Sequence, residues 1–185
     1  MRPDGTRVRD LTAIMQALPY VMPKRYDAQN WAEEYLDEDA IRDYIRAKRR
    51  EGRTVTHMSL LVSAYYRAVL KNPKINYFVM NRRIYKRNHF CFSFVILKTR
   101  ADGTPDETSL KVYLEPEDTV FTVTEKIRST IEKNQNVQHN NDTDRFAKFV
   151  FGVPGLARAV FALAGFLDRH DLLPKSIIEL SPFHT

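Results

Sequence analysis

Residues 54–99 read TVTHMSLLVSAYYRAVLKNPKINYFVMNRRIYKRNHFCFSFVILKT, and the change of hydrophobic period along them decides the fold. Thr54 or Thr56 can cap a helix whose apolar positions Leu61, Ala64, Tyr65, Ala68 and Val69 fall on one face. Asn72-Pro73 closes it, because proline has no N–H to continue the ladder. Tyr77–Val79 and Ile84–Tyr85 then form a hairpin around Asn81-Arg82-Arg83. Phe90 to Leu97 is apolar on both faces apart from Ser93, which predicts a central strand covered on both sides.

Outward from this block, Asp102-Gly103 is a turn signal and Ser109–Leu114 alternates as a returning strand. Thr122 with Glu125 reads as a capping box for a helix burying Val123, Ile127 and Ile131. Gln135 to Asp144 is a polar loop. Phe146, Phe149, Val150 and Val153 begin a helical pattern that Pro154-Gly155 interrupts; Leu156, Val160, Phe161, Leu163, Ala164 and Leu167 resume it, packed on the sheet or against another subunit. Upstream, Ile41, Tyr44, Ile45 and Lys48 keep helical spacing, with Asp37 to Asp39 at the start and Lys48-Arg49-Arg50 before Gly52 at the end. Tyr26 to Leu36 reads as extended chain through Trp31 and Tyr35. Leu11 to Tyr20 holds a helical turn, and Pro19 and Pro23 force extended chain around Tyr20-Val21-Met22. Met1 to Asp10 is a polar arm. The expectation is one α/β domain over residues 1–185, with helices on one face of a mixed sheet.

Composition is that of a folded domain, 43% hydrophobic and 28% charged. No run of about 18 apolar residues occurs, so no transmembrane helix is expected. The N-terminus lacks the continuous apolar stretch of a secretory signal. The one cysteine, Cys91, cannot form an internal disulfide and suits a cytoplasmic protein. A net charge of +6 fits a polyanion, a phosphate-bearing ligand such as coenzyme A, or a basic solvated surface.

Candidate chemistry is sparse. Lys48, Arg49, Arg50 and Arg53 could bind phosphate, although cations also favour a helix C-terminus without any ligand. Arg82, Arg83, Lys86 and Arg87, interleaved with Tyr85 and His89, resemble a nucleic-acid surface, and an exposed hairpin gives the same alternation. His139, Asp142 and Asp144 share a polar loop, a donor set too poor for zinc. His57 opens a helix. No His-Glu-x-x-His, Cys-x-x-Cys, Gly-x-Ser-x-Gly or Walker loop is present, and six glycines do not build a dinucleotide cradle. No metal site is expected.

The whole pattern resembles the catalytic domain of the 2-oxoacid dehydrogenase acyltransferases, the dihydrolipoyl acyltransferase component, which shares its fold with chloramphenicol acetyltransferase. The matching stretches are Arg7-Val8-Arg9-Asp10, Tyr20-Val21-Met22-Pro23, Thr54–Thr99, Asp168–Pro174 and Ser181-Pro182-Phe183-His184-Thr185. The resemblance implies a two-layer α/β sandwich and a homotrimer with coenzyme A or acyl-CoA bound between subunits. It implies acyl transfer between the thioester and a thiol or hydroxyl acceptor, such as a lipoyl group, with no membrane or nucleic-acid partner. In that family a histidine in His-x-x-x-Asp-Gly is the general base, and a serine or threonine hydroxyl steadies the oxyanion. Here the only Asp-Gly pairs are Asp4-Gly5 and Asp102-Gly103, and Lys98 stands four residues before Asp102. The resemblance therefore implies that these residues correspond to about the N-terminal two thirds of such a domain, with its C-terminal part missing and catalysis incomplete. Arg9 is the one counterpart, for the arginine that holds the family's site in shape; no residue takes the catalytic role, and none is assigned to coenzyme A. The alternative is a non-catalytic basic module contacting nucleic acid or a partner subunit.

Overall fold

The change of period at Asn72-Pro73 is where helix gives way to strand in the computed structural model, which describes residues 2–99, 103, 105–135 and 150–180. In chain order the elements are β1 (Gly5–Arg7), α1 (Ala13–Val21), α2 (Glu38–Arg50), α3 (His57–Lys71), β2 (Tyr77–Met80), β3 (Arg83–Arg87), β4 (Phe90–Thr99), β5 (Pro105–Leu114), α4 (Val120–Gln135), α5 (Leu156–Arg169) and α6 (Lys175–Leu180). Short 3₁₀ turns cover Arg25–Ala28 and Pro73–Asn76.

The chain is a mixed α/β protein. Instead of the expected mixed sheet, the described strands form two small antiparallel sheets, β1-β3-β2 and β4-β5. The β2–β3 hairpin closes through Asn81 (φ 47°) and Arg82 (φ 58°), two left-handed residues whose twist matches the strands they join. β1 adds to the other edge of β3, with Gly5 opposite Arg87 and Arg7 opposite Tyr85. Gly5 lets the two strands and the Phe78 ring close up, since a Cβ there would lie 2.7 Å from that ring and displace it.

β4 and β5 pair from Phe90↔Leu114 to Thr99↔Pro105. Leu110, Val112 and Leu114 alternate inward on β5, and α3 and α4 cover that face. The core joins Tyr66 and Val69 of α3 to Phe90, Val112 and Leu114 of the ribbon and Val123 and Ile127 of α4. Tyr66 stacks on Phe90 at 4.6 Å and donates its hydroxyl to the Leu114 carbonyl at 3.3 Å. Ser59 and Thr124 meet between the helices, hydroxyl to hydroxyl at 2.8 Å, both buried.

Several expectations are corrected. The buried stripe of α3 is Ser59, Tyr66 and Val69, while Leu61 and Tyr65 are exposed. β4 is not covered on both sides: among the described residues it pairs along one edge, and Val95 and Leu97 are 59% and 72% exposed. The cap of α4 lies one turn earlier than expected, where Thr119 and Thr122 exchange backbone-to-hydroxyl bonds at 2.9 and 3.3 Å. Pro19 does not force extended chain; α1 runs through it to Val21, and Met22 N–H closes on the Leu18 carbonyl at 2.8 Å. Residues 26–36 begin with a helical turn and carry no regular structure after it. On α5 a stripe of Leu156, Val160, Ala164 and Leu167 is half-buried, but Phe161, Leu163 and Phe166 face outward. The expected positions Asp102, Phe146 and Phe149, the loop with His139, Asp142 and Asp144, and Ser181–Thr185 lie outside the described residues. Among the described residues no helix is long and apolar enough to cross a membrane.

Candidate functional site

β1 carries the N-terminal arm onto the β3 edge and so sets Arg2 and Asp4 against the ends of α5 and β3. The Arg2 Nε and Nη2 donate to the two Asp4 carboxylate oxygens at 2.8 and 3.1 Å, with both side chains almost wholly buried. Arg2 also meets the Asp168 carboxylate at 2.8 Å, the Asp168 carbonyl at 3.0 Å and Asp171 at 3.6 Å. Arg87 reaches Asp4 at 3.5 Å and lies 4.4 Å over the Phe78 ring. The Tyr85 hydroxyl donates to Asp171 at 3.0 Å. Two guanidinium groups and three carboxylates thus tie the arm, the hairpin and the end of α5 together.

Burial pushes the Asp4 carboxyl up, but hydrogen bonding and charge from Arg2, with the charge of Arg87, outweigh it and leave it below the ordinary range. Burial and the bond to Asp171 raise the Tyr85 phenol. Arg2 occupies both Asp4 oxygens and weakens that carboxylate as a proton acceptor, and Tyr85 stays protonated, so neither is suited to act as a general base. This cluster is architecture.

Beside it, α1 crosses the β2–β3 hairpin and leaves a groove of about 380 Å³ between Leu11, Met15 and Leu18 on one wall and Tyr77, Val79 and Ile84 on the other. Val8 and Asp10 also line it. Arg9, the candidate for site support, stands between them and is exposed, and none of its side-chain bonds is among those described.

A second recess, of about 340 Å³, opens between the α2–α3 connection and α4. Arg53, Thr54, Phe121, Thr124, Glu125 and Arg128 line it, and the Arg53 guanidinium lies 4.7 Å over the Phe121 ring. Gly52, with φ +76°, turns the chain so that Arg53 leaves the end of α2 toward α4. The rest of the expected α2 cluster does not join it. Lys48 pairs with Glu51 at 2.9 Å, and Arg49 and Arg50 remain exposed on the helix. Arg128, two turns along α4, was not legible as a partner of Arg53, because nothing local relates the two.

The hairpin cations are divided. Arg87 is drawn inward to Asp4, the Arg82 guanidinium lies 5.3 Å over Tyr20, and Arg83 and Lys86 face solvent. At most three exposed cations remain on the hairpin, so this surface should hold duplex DNA weakly and without sequence preference, and its three cations together contribute no more than about −2.7 to the log–log salt slope. Oligonucleotide titrations at several salt concentrations check this, and tight binding to one sequence at physiological salt would contradict it. His57 is exposed at the first turn of α3, and His89 meets the Tyr113 ring edge-on at 5.2 Å. Cys91 is buried, which pushes its thiol up and makes it a poor nucleophile. Among the described residues no cluster suited to a metal ion occurs. Comparison with known protein families, with curated proteins and with solved structures finds no match.

Proposed function

We propose that this chain is a cytoplasmic, coenzyme A-dependent acyltransferase-like domain of the 2-oxoacid dehydrogenase acyltransferase type, related in fold to chloramphenicol acetyltransferase. The observation that carries the reading is residues 54–99. Their helix, tight hairpin and long apolar strand follow in the order and with the Asn72-Pro73 junction that the resemblance implies. In this reading the domain works as a homotrimer, moving an acyl group between a coenzyme A thioester and a thiol or hydroxyl such as a lipoyl group. No His-x-x-x-Asp-Gly occurs in these residues, so they bind and position while the family's general base is not among them. Arg9 remains the candidate for holding the site in shape.

The recess between Arg53 and Arg128 is the best seat for the ligand's phosphates, because two guanidinium groups on one concave surface match phosphate geometry. Glu125 in the same recess opposes anions, so each arginine is needed. Titration calorimetry with acetyl-CoA tests this. Arg53→Ala and Arg128→Ala are each expected to weaken binding about tenfold, equivalent to ~1.4 kcal/mol, with the fold intact by circular dichroism. Unchanged affinity in both variants would remove the recess from the reading.

A further inference from the structure

Every residue from Pro23 to Ala40 is exposed, and this arm is not a plain linker. Trp31 is 87% exposed, Tyr35 92% and Leu36 63%. Single exposed apolar residues are ordinary, but three within six positions, two of them large aromatics, are more than a plain linker carries. Fully burying one such aromatic removes about 150–250 Å² from solvent, so the arm stands ready for a receptor.

Its charge says which receptor. Between Tyr26 and Ile41 the arm carries Asp27, Glu33, Glu34, Asp37, Glu38 and Asp39 and no lysine or arginine, in a chain of net charge +6. Asp37 caps α2, Asp27 holds the Lys24 amide, and Glu38 and Asp39 pair with Arg42. Glu33 and Glu34, beside Trp31, are left facing solvent. The groove between α1 and the β2–β3 hairpin has the complementary character. Its walls are apolar, Lys74 and Asp10 both line it with Ala28 at the start of the arm, and exposed Arg7, Arg82 and Arg83 on the elements around it outnumber that one acid. Its volume of about 380 Å³ falls in the range of sites that enclose an organic group.

We propose that the acidic aromatic arm of one copy of this chain docks in the α1/hairpin groove of a second copy, with Trp31 as the anchor. Lys74 and the hairpin arginines receive Glu33 and Glu34. Such an arm-to-groove contact is heterologous, so successive copies close into a ring or extend as a chain. It does not depend on the acyl-transfer reading. A homotrimer that binds coenzyme A while Trp31 stays solvated would overturn the docking and leave that reading standing.

Trp31 is the chain's one tryptophan, so its emission reports the anchor alone. The test follows fluorescence and sedimentation of the whole chain over a wide concentration range. We expect red emission from a solvated indole at low concentration, shifting blue as the mass rises, with both transitions at the same midpoint. Trp31→Ala should raise that midpoint at least about tenfold, as the loss of a buried aromatic anchor does. Met15→Glu, on the groove wall, should do the same while Trp31 stays solvated. Mixing the two variants should restore association, since one retains the groove and the other the arm. Blue emission that is independent of concentration would place Trp31 within its own chain and overturn the proposal. So would a solvated indole at every concentration, association undiminished in Trp31→Ala, or variants that fail to complement.

Discussion

Arg2→Met is expected to lower the unfolding free energy by about 3–5 kcal/mol, the cost of breaking a buried ion pair from one side. Arg2 faces Asp4, Asp168 and Asp171, and without it Asp4 would keep only the more distant Arg87 among the cations described against it. Domains are stable by only about 5–15 kcal/mol, so this single change would consume a large share. Urea denaturation of the two proteins measures it; a loss below about 1 kcal/mol would mean that the cluster is solvated in solution. The sign with pH follows from Asp4, whose folded-state carboxyl lies below its ordinary value. Its stabilisation is complete above the ordinary carboxylate range near pH ~4 and is lost as the pH falls through the folded value. The wild-type protein should therefore weaken steeply below about pH 4, and Arg2→Met should lack most of that acid limb.

Acyl transfer by these 185 residues is expected at the level of uncatalysed thiol exchange, whatever the affinity for acetyl-CoA. Absence of the general base costs about 10²–10⁴-fold, and absence of an oxyanion donor about 10²–10³-fold more. Neither His57, exposed on α3, nor Tyr85, held protonated against Asp171, replaces them. Thiol release from acetyl-CoA with a dihydrolipoyl acceptor measures this. Turnover above background that His57→Ala abolished would place a base where none is assigned.

Much of the fold was legible locally. Pro73 ended α3, Asn81 marked the hairpin, and Val123, Ile127 and Ile131 fell on one face of α4 because a helix repeats every 3.6 residues. Features set by distant partners were not. The α3 stripe through Leu61 and Tyr65 satisfies the helical period as well as the true one. What selects the stripe with Ser59 and Tyr66 is the Thr124 hydroxyl and the Leu114 carbonyl, 65 and 48 residues away. Both faces of β4 are apolar in sequence, and only the arrangement of layers decides that Val95 and Leu97 face outward. The Arg2–Asp168 contact spans 166 residues and has no local signature. At the candidate sites, Arg9 was singled out by the resemblance alone and Arg53 as one of the basic cluster at the end of α2. The groove wall at Met15 and the second guanidinium at Arg128 are made by packing.

Equilibrium binding of acetyl-CoA to the wild-type chain tests the central claim most directly. The account predicts saturable binding, one ligand per chain, displaced by coenzyme A and weakened when the ligand's phosphates are removed. Absence of saturation up to millimolar acetyl-CoA, in protein shown to be folded, would contradict it.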